Sequence, residues 1–365
     1  MLLKLVRAAL WEMPVDLKGQ VWTYEEYESV MTLARQQAVA GLVSQALMAS
    51  GVKLERQDAL ELFGLQQSIR RRNAELDVAV VRLCQKMREA GIRIVVMKGQ
   101  TLAALYSIPE LRQSGDIDFY CHPEDWNKAL CFIREQLLKT VSNHNTEKHV
   151  EFDLNGVQYE MHRMLTSFAR PKHQRYWDTV VVPAIWEPEA YIKINDFDVP
   201  VLPPTYNVLY TFVHIFYHLI IEGIGLRQFC DWAVLLHEMY HGQCIMDNAL
   251  LERHLKGIGL MKAYTGLGAI LTDYLGLPEE EFPFEISADD HQKAPKLFQN
   301  MLEMGNFGHN KQYVHERGVL HGIQHLGRIT LQARRFAHYA PAEAWWRIPY
   351  MFQWWGLKIL RILKV

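Results

Sequence analysis

The sequence predicts an α+β protein in which a short mixed β-sheet lies between helical segments. Apolar residues recur at helical spacing in residues 23–90, short apolar runs separated by turn dipeptides fill residues 92–202, and a helical pattern returns from residue 207. We place the boundaries near residues 91 and 204. The predicted units are an N-terminal helical region (1–91), a mixed α/β core (92–204) and a C-terminal helical domain (205–365).

The N-terminal region begins its first clear helix with a capping-box pattern. Thr23 and Glu26 are three residues apart, so a hydroxyl and a carboxylate can each accept a hydrogen bond from a free backbone N–H group. A second, longer helix is predicted up to Gly91, since glycine often ends helices. Its apolar positions are Leu62, Leu65, Ile69, Leu76, Val80, Leu83 and Met87.

The core is predicted to run strand, helix, strand, helix and then a hairpin. Asn155-Gly156 is the dipeptide that most strongly indicates a two-residue hairpin turn. A further strand pair surrounds Asn195 and Asp196, and Pro203-Pro204 ends the core. The predicted elements are a strand at Ile92–Met97, a helix at Gln100–Tyr106, a strand at Gly115–Cys121, a helix at Pro123–Leu138, hairpin strands at His149–Leu154 and Val157–Met161, and a strand pair within Tyr191–Leu202.

Composition restricts the class of protein. The chain has 365 residues, of which 49% are hydrophobic, so it can bury a substantial core, and its net charge of -2 gives no overall reason to expect a nucleic-acid partner. The cysteines form no CxxC pair, which argues against a disulfide framework and a thiolate zinc site and favours a reducing cytoplasm. They are Cys84, Cys121, Cys131, Cys230 and Cys244.

No export signal or membrane span is predicted. The apolar start of the chain is too short for a signal peptide, and no small-residue cleavage site follows it. The later apolar run, residues 208–226, contains His214, His218 and Glu222, which are costly in a bilayer and common in a buried helix. We therefore expect a cytoplasmic protein.

Three carboxylates are predicted to meet in the core. Residues i and i+2 of a strand point to the same face, about 6.5–7 Å apart, so Asp116 and Asp118 point together. If the strand around residue 160 is a neighbour, Glu160 lies within reach of both. Two Mg²⁺ ions would balance this charge and hold a triphosphate and an attacking hydroxyl, with Mn²⁺ as an alternative ion.

The Lys98-Gly99 turn complements these carboxylates. Glycine lets backbone N–H groups approach a phosphate, and the helix predicted to begin at Gln100 would direct its positive end there. Lys98 and Arg112 could add direct positive charge. We therefore predict that Lys98, Gly99, Gln100 and Arg112 contact a nucleotide.

In their order along the chain, these residues resemble a known family. They are Lys98-Gly99, Leu102, Leu105-Tyr106, Pro109, Arg112, Asp116-Ile117-Asp118 and, later, Glu160-Met161-His162. The pattern is similar to that of the uncharacterised nucleotidyltransferases of the DNA polymerase β type. A looser resemblance continues into His214, His218, Arg227, Asp231 and Gly305-Asn306-Phe307-Gly308.

The resemblance implies a minimal nucleotidyltransferase fold, a short mixed sheet with helices. It implies that Asp116 and Asp118 bind the metals and that Glu160 completes the site and orients or deprotonates the acceptor. It also implies that Gly99 lies beside the triphosphate. Two positions differ from the wider superfamily: Gln100 stands where a serine is usual, and Glu160 where aspartate is commoner.

Two helical pairs further along the chain have two interpretations. His214 with His218, and Arg227 with Asp231, are each four residues apart and so share a helix face. They are either core-edge histidines and an intrahelical ion pair, or the far wall of a cleft in which His218, Arg227 and Asp231 bind the nucleotide. In the second interpretation Arg227 contacts either the nucleotide or the acceptor. His162 is a candidate partner of Glu160, and His149 lies across the hairpin.

The C-terminal segment is basic and rich in tryptophan. This composition suits either a terminal helix packed on the body or contact with an anionic membrane surface or single-stranded nucleic acid, and packing is the preferred interpretation. Its cations are Lys311, Arg317, Arg328, Arg334, Arg335, Arg347, Lys358, Arg361 and Lys364, against Glu316 and Glu343, and its tryptophans are Trp345, Trp346, Trp354 and Trp355.

The expected function is Mg²⁺-dependent transfer of a nucleoside monophosphate from a nucleoside triphosphate to a hydroxyl-bearing acceptor, with release of pyrophosphate. Protein, small-molecule, sugar, lipid and RNA-end acceptors all stay open. One alternative is a DxD glycosyltransferase that uses a nucleotide-sugar, although the region before the triplet is helical. The other is a non-catalytic nucleotide-binding scaffold protein.

Overall fold

The structure, a computed structural model, describes residues 1–137, 149–221, 223–242, 245–304 and 319–363. Within these residues the predicted α+β class is confirmed, because one mixed sheet is enclosed by helices that precede, connect and follow its strands. Several residues that carry sequence predictions lie outside the described residues. They are Leu138, Cys244, Gly305–Gly308, Lys311, Glu316, Arg317 and Lys364.

The N-terminal helices follow the sequence pattern. Thr23 accepts a hydrogen bond from the Glu26 amide, and the Glu26 carboxylate accepts one from the Thr23 amide, so the predicted capping box is present. Gly91 adopts a φ of 61° after the long fourth helix, as a helix-ending glycine does. The helices are α1 (Leu2–Leu10), α2 (Tyr24–Gln36), α3 (Ala40–Ala49) and α4 (Arg56–Glu89).

Six strands form one sheet in the order β3-β4-β2-β1-β6-β5. The pairs β1/β2, β3/β4 and β5/β6 are antiparallel, whereas β2/β4 and β1/β6 are parallel. Both predicted turns are present, with positive φ at Asn155, Gly156, Asn195 and Asp196. The strands are β1 (Ile94–Met97), β2 (Asp116–Cys121), β3 (His149–Leu154), β4 (Val157–His162), β5 (Ala190–Ile194) and β6 (Phe197–Val201).

Short helices connect the strands. The helix predicted over residues 100–106 is α5, which has only five residues. The helix predicted over residues 123–138 begins as a 3-10 turn, continues as α6 and widens to a π-helix over Ile133–Leu137. These helices are α5 (Gly99–Ala103), α6 (Trp126–Phe132), α7 (Pro171–Tyr176) and α8 (Val182–Ala184).

The C-terminal part is helical, as predicted. The apolar run that begins at Val208 lies in a buried helix, where Phe212 and Phe216 have no exposed surface. Burial of each such side chain contributes about 1.5–3 kcal/mol to stability. The helices are α9 (Pro204–Ile221), α10 (Leu226–His241), α11 (Asn248–Gly257), α12 (Met261–Ile270), α13 (Ala288–Met304), α14 (Val319–Phe336) and α15 (Pro341–Leu363).

The two faces of the sheet pack against different helices. Ile117 and Phe119 of β2 join a core with Leu76 and Val80 of α4. Because side chains alternate along a strand, Asp116, Asp118 and Tyr120 point to the opposite face. There Tyr120 joins the larger core, to which α9 and α10 belong. The sheet therefore directs its aspartates toward the C-terminal helices.

The N-terminal and C-terminal helices share that larger core. Leu5 and Val6 of α1 are fully buried in it with residues of α9 and α12. The Arg7 side chain donates a hydrogen bond to the Tyr274 carbonyl at 2.7 Å, and Trp11 Nε1 donates one to the Leu275 carbonyl at 2.6 Å. The segments 1–91 and 205–365 are thus joined in the described structure.

The start of α15 packs on the body through a buried carboxylate. Glu343 has no exposed surface and accepts hydrogen bonds from the Ala169 amide at 2.8 Å, the Tyr217 hydroxyl at 2.7 Å and His173 Nδ1 at 2.6 Å. This agrees with the preferred interpretation of the C-terminal segment. Trp345 and Trp346 are half exposed, and membrane contact there stays a prediction.

No helix in the described ranges combines the length and the apolar character that crossing a membrane requires.

Candidate active site

A cleft lies between the aspartate-bearing face of the sheet and helices α9 and α10. Its sheet side is lined by Lys98, Gly99, Asp116, Asp118 and Glu160. Its helical side is lined by Thr211, His214, His218, Arg227 and Asp231. The cleft therefore brings together side chains from segments more than a hundred residues apart.

The three predicted carboxylates meet on this sheet face. Strands β2 and β4 are parallel neighbours, with Asp118 paired in register with Glu160 and Asp116 with Gln158. Burial and the nearby Asp118 carboxylate raise the pKa of Asp116. The folded protein without bound cations therefore disfavours the ionised form of Asp116.

Lys98 and His162 balance part of that charge through one oxygen atom. Lys98 Nζ lies 3.0 Å from Asp118 Oδ1, and His162 Nε2 lies 2.9 Å from the same atom. Burial alone would raise the pKa of Asp118, but these two neighbours hold it well below its ordinary value. Asp118 is therefore ionised at neutral pH.

His162 connects the carboxylates of the two strands. Its Nε2 atom also lies 3.4 Å from Glu160 Oε2, and this interaction with His162 is the main cause that lowers the pKa of Glu160. Burial acts to lower the pKa of His162, but its hydrogen bonds to Asp118 and Glu160 raise it overall. His149, which is predicted to lie across the hairpin, packs its ring against the His162 ring at a centroid distance of 5.6 Å.

The turn at Lys98-Gly99 is unusual in backbone geometry. Lys98 has φ 55° and ψ -145°, a region that favours glycine, and Gly99 follows with φ 45°. Such a conformation costs about 1–3 kcal/mol and often marks a functional site. A Cβ atom on residue 99 would lie 3.4 Å from the Asp116 carbonyl oxygen. That distance is ordinary van der Waals contact, so the requirement for glycine at position 99 comes from its positive φ rather than from crowding.

Arg227 places a buried positive charge across the cleft from the carboxylates. Its Nη1 atom donates a hydrogen bond to the Gln113 carbonyl at 2.7 Å, whereas Nε has no partner among the described residues. Burial and the neighbouring Arg112 cation lower the pKa of Arg227. Within the described chain no carboxylate forms an ion pair with it, so the charge is available to an anion.

Arg112 and Asp231 form a buried ion pair at the end of the cleft. Arg112 Nε and Nη2 donate to the two Asp231 oxygens at 2.6 and 2.7 Å, and both residues are 3% exposed. The Tyr106 hydroxyl donates to Asp231 Oδ1 at 2.7 Å. The intrahelical ion pair considered for Arg227 and Asp231 is therefore absent, because Asp231 pairs with Arg112 instead.

The part of the chain that forms this cleft matches a known family. The chain fits the sequence profile described as "Uncharacterised nucleotidyltransferase" over residues 24–275, which is most of its length. The chain belongs to this family. The match begins at α2 and ends after α12, so it contains the sheet, the cleft and both helices that close the cleft.

Other comparisons add less. No curated protein matches the chain significantly. Among solved structures, the chain is similar to an antigenic nucleotidyltransferase-like protein from Paracoccidioides brasiliensis, with 13% identity, a TM-score of 0.34 and coverage of 57% of this chain and 97% of that one. The family assignment therefore rests on the sequence profile.

Two residues that are predicted to contact a nucleotide, Gln100 and Arg112, have other side-chain partners in the structure. The Gln100 side chain is buried and points to Asp77 of α4, where its Nε2 atom donates to Oδ1 at 2.5 Å. The Gln100 side chain therefore does not line the cleft. Arg112 lines the cleft, but Asp231 engages its guanidinium group, and the five-residue α5 offers little helix dipole.

Sequence reasoning missed three participants. Tyr106 has no predicted role beyond its place in the family pattern, and Tyr210 and Thr211 of α9 have no predicted role. Burial raises the pKa of Tyr210, which lies beside Lys98, to about 12, and Thr211 Oγ1 is buried at the cleft with no partner among the described residues. The apolar run that contains Tyr210 and Thr211 gives no local signal that they face a charged site.

The raised pKa of His162 predicts a pH-dependent contribution to stability. A histidine whose folded pKa exceeds its unfolded value of 6.5 stabilises the fold fully below that pH and loses the effect as the pH rises through the folded pKa. In EDTA, we expect the difference in unfolding free energy between wild type and His162→Gln to be largest below pH 6.5 and to shrink above it. A pH-independent difference would contradict a charged His162.

Proposed function

We propose that the protein catalyses Mg²⁺-dependent transfer of a nucleoside monophosphate from a nucleoside triphosphate to a hydroxyl-bearing acceptor. The observation that supports this most directly is the charge arrangement of the cleft. The carboxylates of β2 and β4 face Arg227 of α10, a cation that forms no ion pair among the described residues. Such a cleft suits a ligand that combines divalent cations with a polyphosphate.

The donor set fits magnesium. Asp116, Asp118 and Glu160 offer the carboxylate oxygens that Mg²⁺ prefers, and few protein ligands are needed because water and phosphate supply the others. The raised pKa of Asp116 is consistent with a missing counter-charge. When bound, Mg²⁺ would neutralise charge on the triphosphate and lower the pKa of the acceptor hydroxyl.

The side chains of the cleft have separate roles in this proposal. Lys98 neutralises Asp118 when no nucleotide is present, and its ammonium group would turn to a phosphate when the carboxylate binds metal. Arg227 would bind the triphosphate from the helical side. Arg112 and Asp231 act as positioning residues, since their ion pair fixes α10 against the turn that precedes β2.

Glu160 is the proposed base. Its pKa is lowered by His162, so it is ionised and able to accept a proton from the acceptor hydroxyl. The acceptor oxygen would then form a bond to the α-phosphorus while the bond from that phosphorus to the bridging oxygen breaks. Pyrophosphate leaves with the electron pair of that bond, and the nucleoside monophosphate stays on the acceptor.

The acceptor can be sought directly. The protein is incubated with Mg²⁺ and each α-labelled nucleoside triphosphate, first alone and then with cell lysate, and the label is followed by gel electrophoresis and chromatography. We expect label on a protein or on a smaller acceptor, and none with the Asp116→Asn variant. Binding of every nucleotide without transfer would instead support the scaffold alternative.

A further inference from the structure

A second group of metal-ligating side chains lies outside the cleft. His237 and His241, one turn apart near the end of α10, face Glu281 of the 3-10 turn Glu279–Glu281. His237 Nδ1 lies 2.7 Å from Glu281 Oε2, and His241 Nε2 lies 2.9 Å from Glu281 Oε1. The potential ligand atoms all lie within 4.8 Å of one another.

We propose that these three residues bind a zinc-type divalent ion. Zn²⁺ binds imidazole nitrogen and carboxylate oxygen at about 2.0–2.2 Å, usually with four ligands. Two imidazoles and one carboxylate supply three of them, and water can supply the fourth because the His241 side chain is 54% exposed. Nitrogen ligands do not suit Mg²⁺, so this site differs in chemistry from the carboxylate cleft.

The burial of Glu281 supports the assignment. Its side chain is only 5% exposed, and a buried carboxylate requires a counter-charge. In the described structure its ion-pair partners are the two histidines, which are charged only when protonated. A divalent ion would replace the two hydrogen-bonding protons and supply that charge at neutral pH, with proton release on binding.

Neighbouring aromatic residues already hold the ligands in place. The Trp11 ring lies against His237 with a centroid distance of 5.1 Å, and Tyr240 lies against His241 at 5.0 Å. Phe282, next to Glu281, packs on Trp232 of α10 at 6.0 Å. The turn and the helix are thus fixed to each other before any ion binds, which lowers the entropic cost of binding.

The ion would connect three parts of the chain. It would join the end of α10 to the turn before α13. Trp11, at the end of α1, packs against this site. Because α10 also carries Arg227 and Asp231, the site would stabilise the helix that forms one wall of the cleft. It would do so without contacting the nucleotide.

Zinc binding to untagged full-length protein tests the proposal. Zn²⁺ retained after dialysis is measured by mass spectrometry and its affinity by calorimetry, for wild type, His241→Ala and the near-isosteric Glu281→Gln. We expect His241→Ala and Glu281→Gln each to bind about one Zn²⁺ per chain fewer than wild type and to lose most of the zinc-induced rise in Tm. His291→Ala is the matched control, because His291 also pairs with a carboxylate, Asp273, at 2.9 Å.

The carboxylate cleft could also retain zinc, so Asp118→Asn is measured in parallel. The proposal predicts that this variant keeps the ion that His241→Ala and Glu281→Gln lose. Unchanged zinc content in those two variants would overturn it, as would a wild type whose entire zinc content disappears in Asp118→Asn. In either case Glu281 would keep only its hydrogen bonds to the two histidines, and the proposed nucleotidyl transfer would be unaffected.

Discussion

Replacement of Asp118 with Asn is expected to lower nucleotidyl transfer by about 10²–10³-fold or more, the loss typical when one preorganised charge-stabilising group is removed. The amide keeps the size of the side chain but cannot hold a cation as a carboxylate does. Single-turnover assays with α-labelled nucleotide measure the effect. Asp153→Asn is the matched control, because Asp153 belongs to the same sheet but is exposed and lies outside the cleft lining. Full activity in Asp118→Asn would contradict the proposed site.

Asp116→Asn should lower transfer as strongly as Asp118→Asn but change stability in the opposite direction. The raised pKa of Asp116 means that its ionised form destabilises the metal-free fold at neutral pH, so the amide should raise the Tm. The lowered pKa of Asp118 means that its ionised form is stabilising, so Asp118→Asn should lower the Tm. Thermal unfolding in EDTA separates the two variants, and equal shifts would contradict the described charge balance.

Replacement of Asp231 with Ala is expected to destabilise the protein by about 3–5 kcal/mol, because it leaves the buried Arg112 cation without its partner. The Tyr106 hydroxyl loses an acceptor at the same time. Denaturant unfolding measures the change in free energy.

Asp198→Ala is the control for this loss. Asp198 pairs with Lys193 at 3.1 Å, but both side chains are largely exposed, so breaking that pair should cost less than about 1 kcal/mol. Similar losses in Asp198→Ala and Asp231→Ala would show that the burial of Arg112 and Asp231 has no energetic consequence.

Local patterns predicted the parts of the fold that local interactions determine. The Thr23 capping box, the Asn155-Gly156 turn and the alternation of Asp116 and Asp118 each depend on neighbouring residues, and all are present. The placement of Glu160 required one further assumption, that β4 lies beside β2. The parallel pairing of these strands satisfies it.

Contacts between distant segments were not predictable in the same way. Arg112 was predicted to face a phosphate, but its partner Asp231 lies 119 residues later, and no local pattern links them. Glu281 lies 40 residues after His241, so the histidine pair alone gave no sign of a third ligand. In both places packing of α10 against other elements decides which charged groups meet.

The fate of two labels in one reaction tests the proposed activity most directly. Nucleoside triphosphate labelled separately on the α- and γ-phosphorus is incubated with the protein, Mg²⁺ and lysate or the identified acceptor. We predict that the α label moves to the acceptor while the γ label appears in pyrophosphate, and that EDTA stops both. Transfer of the γ label to the acceptor, or nucleotide binding without movement of either label, would contradict nucleotidyl transfer.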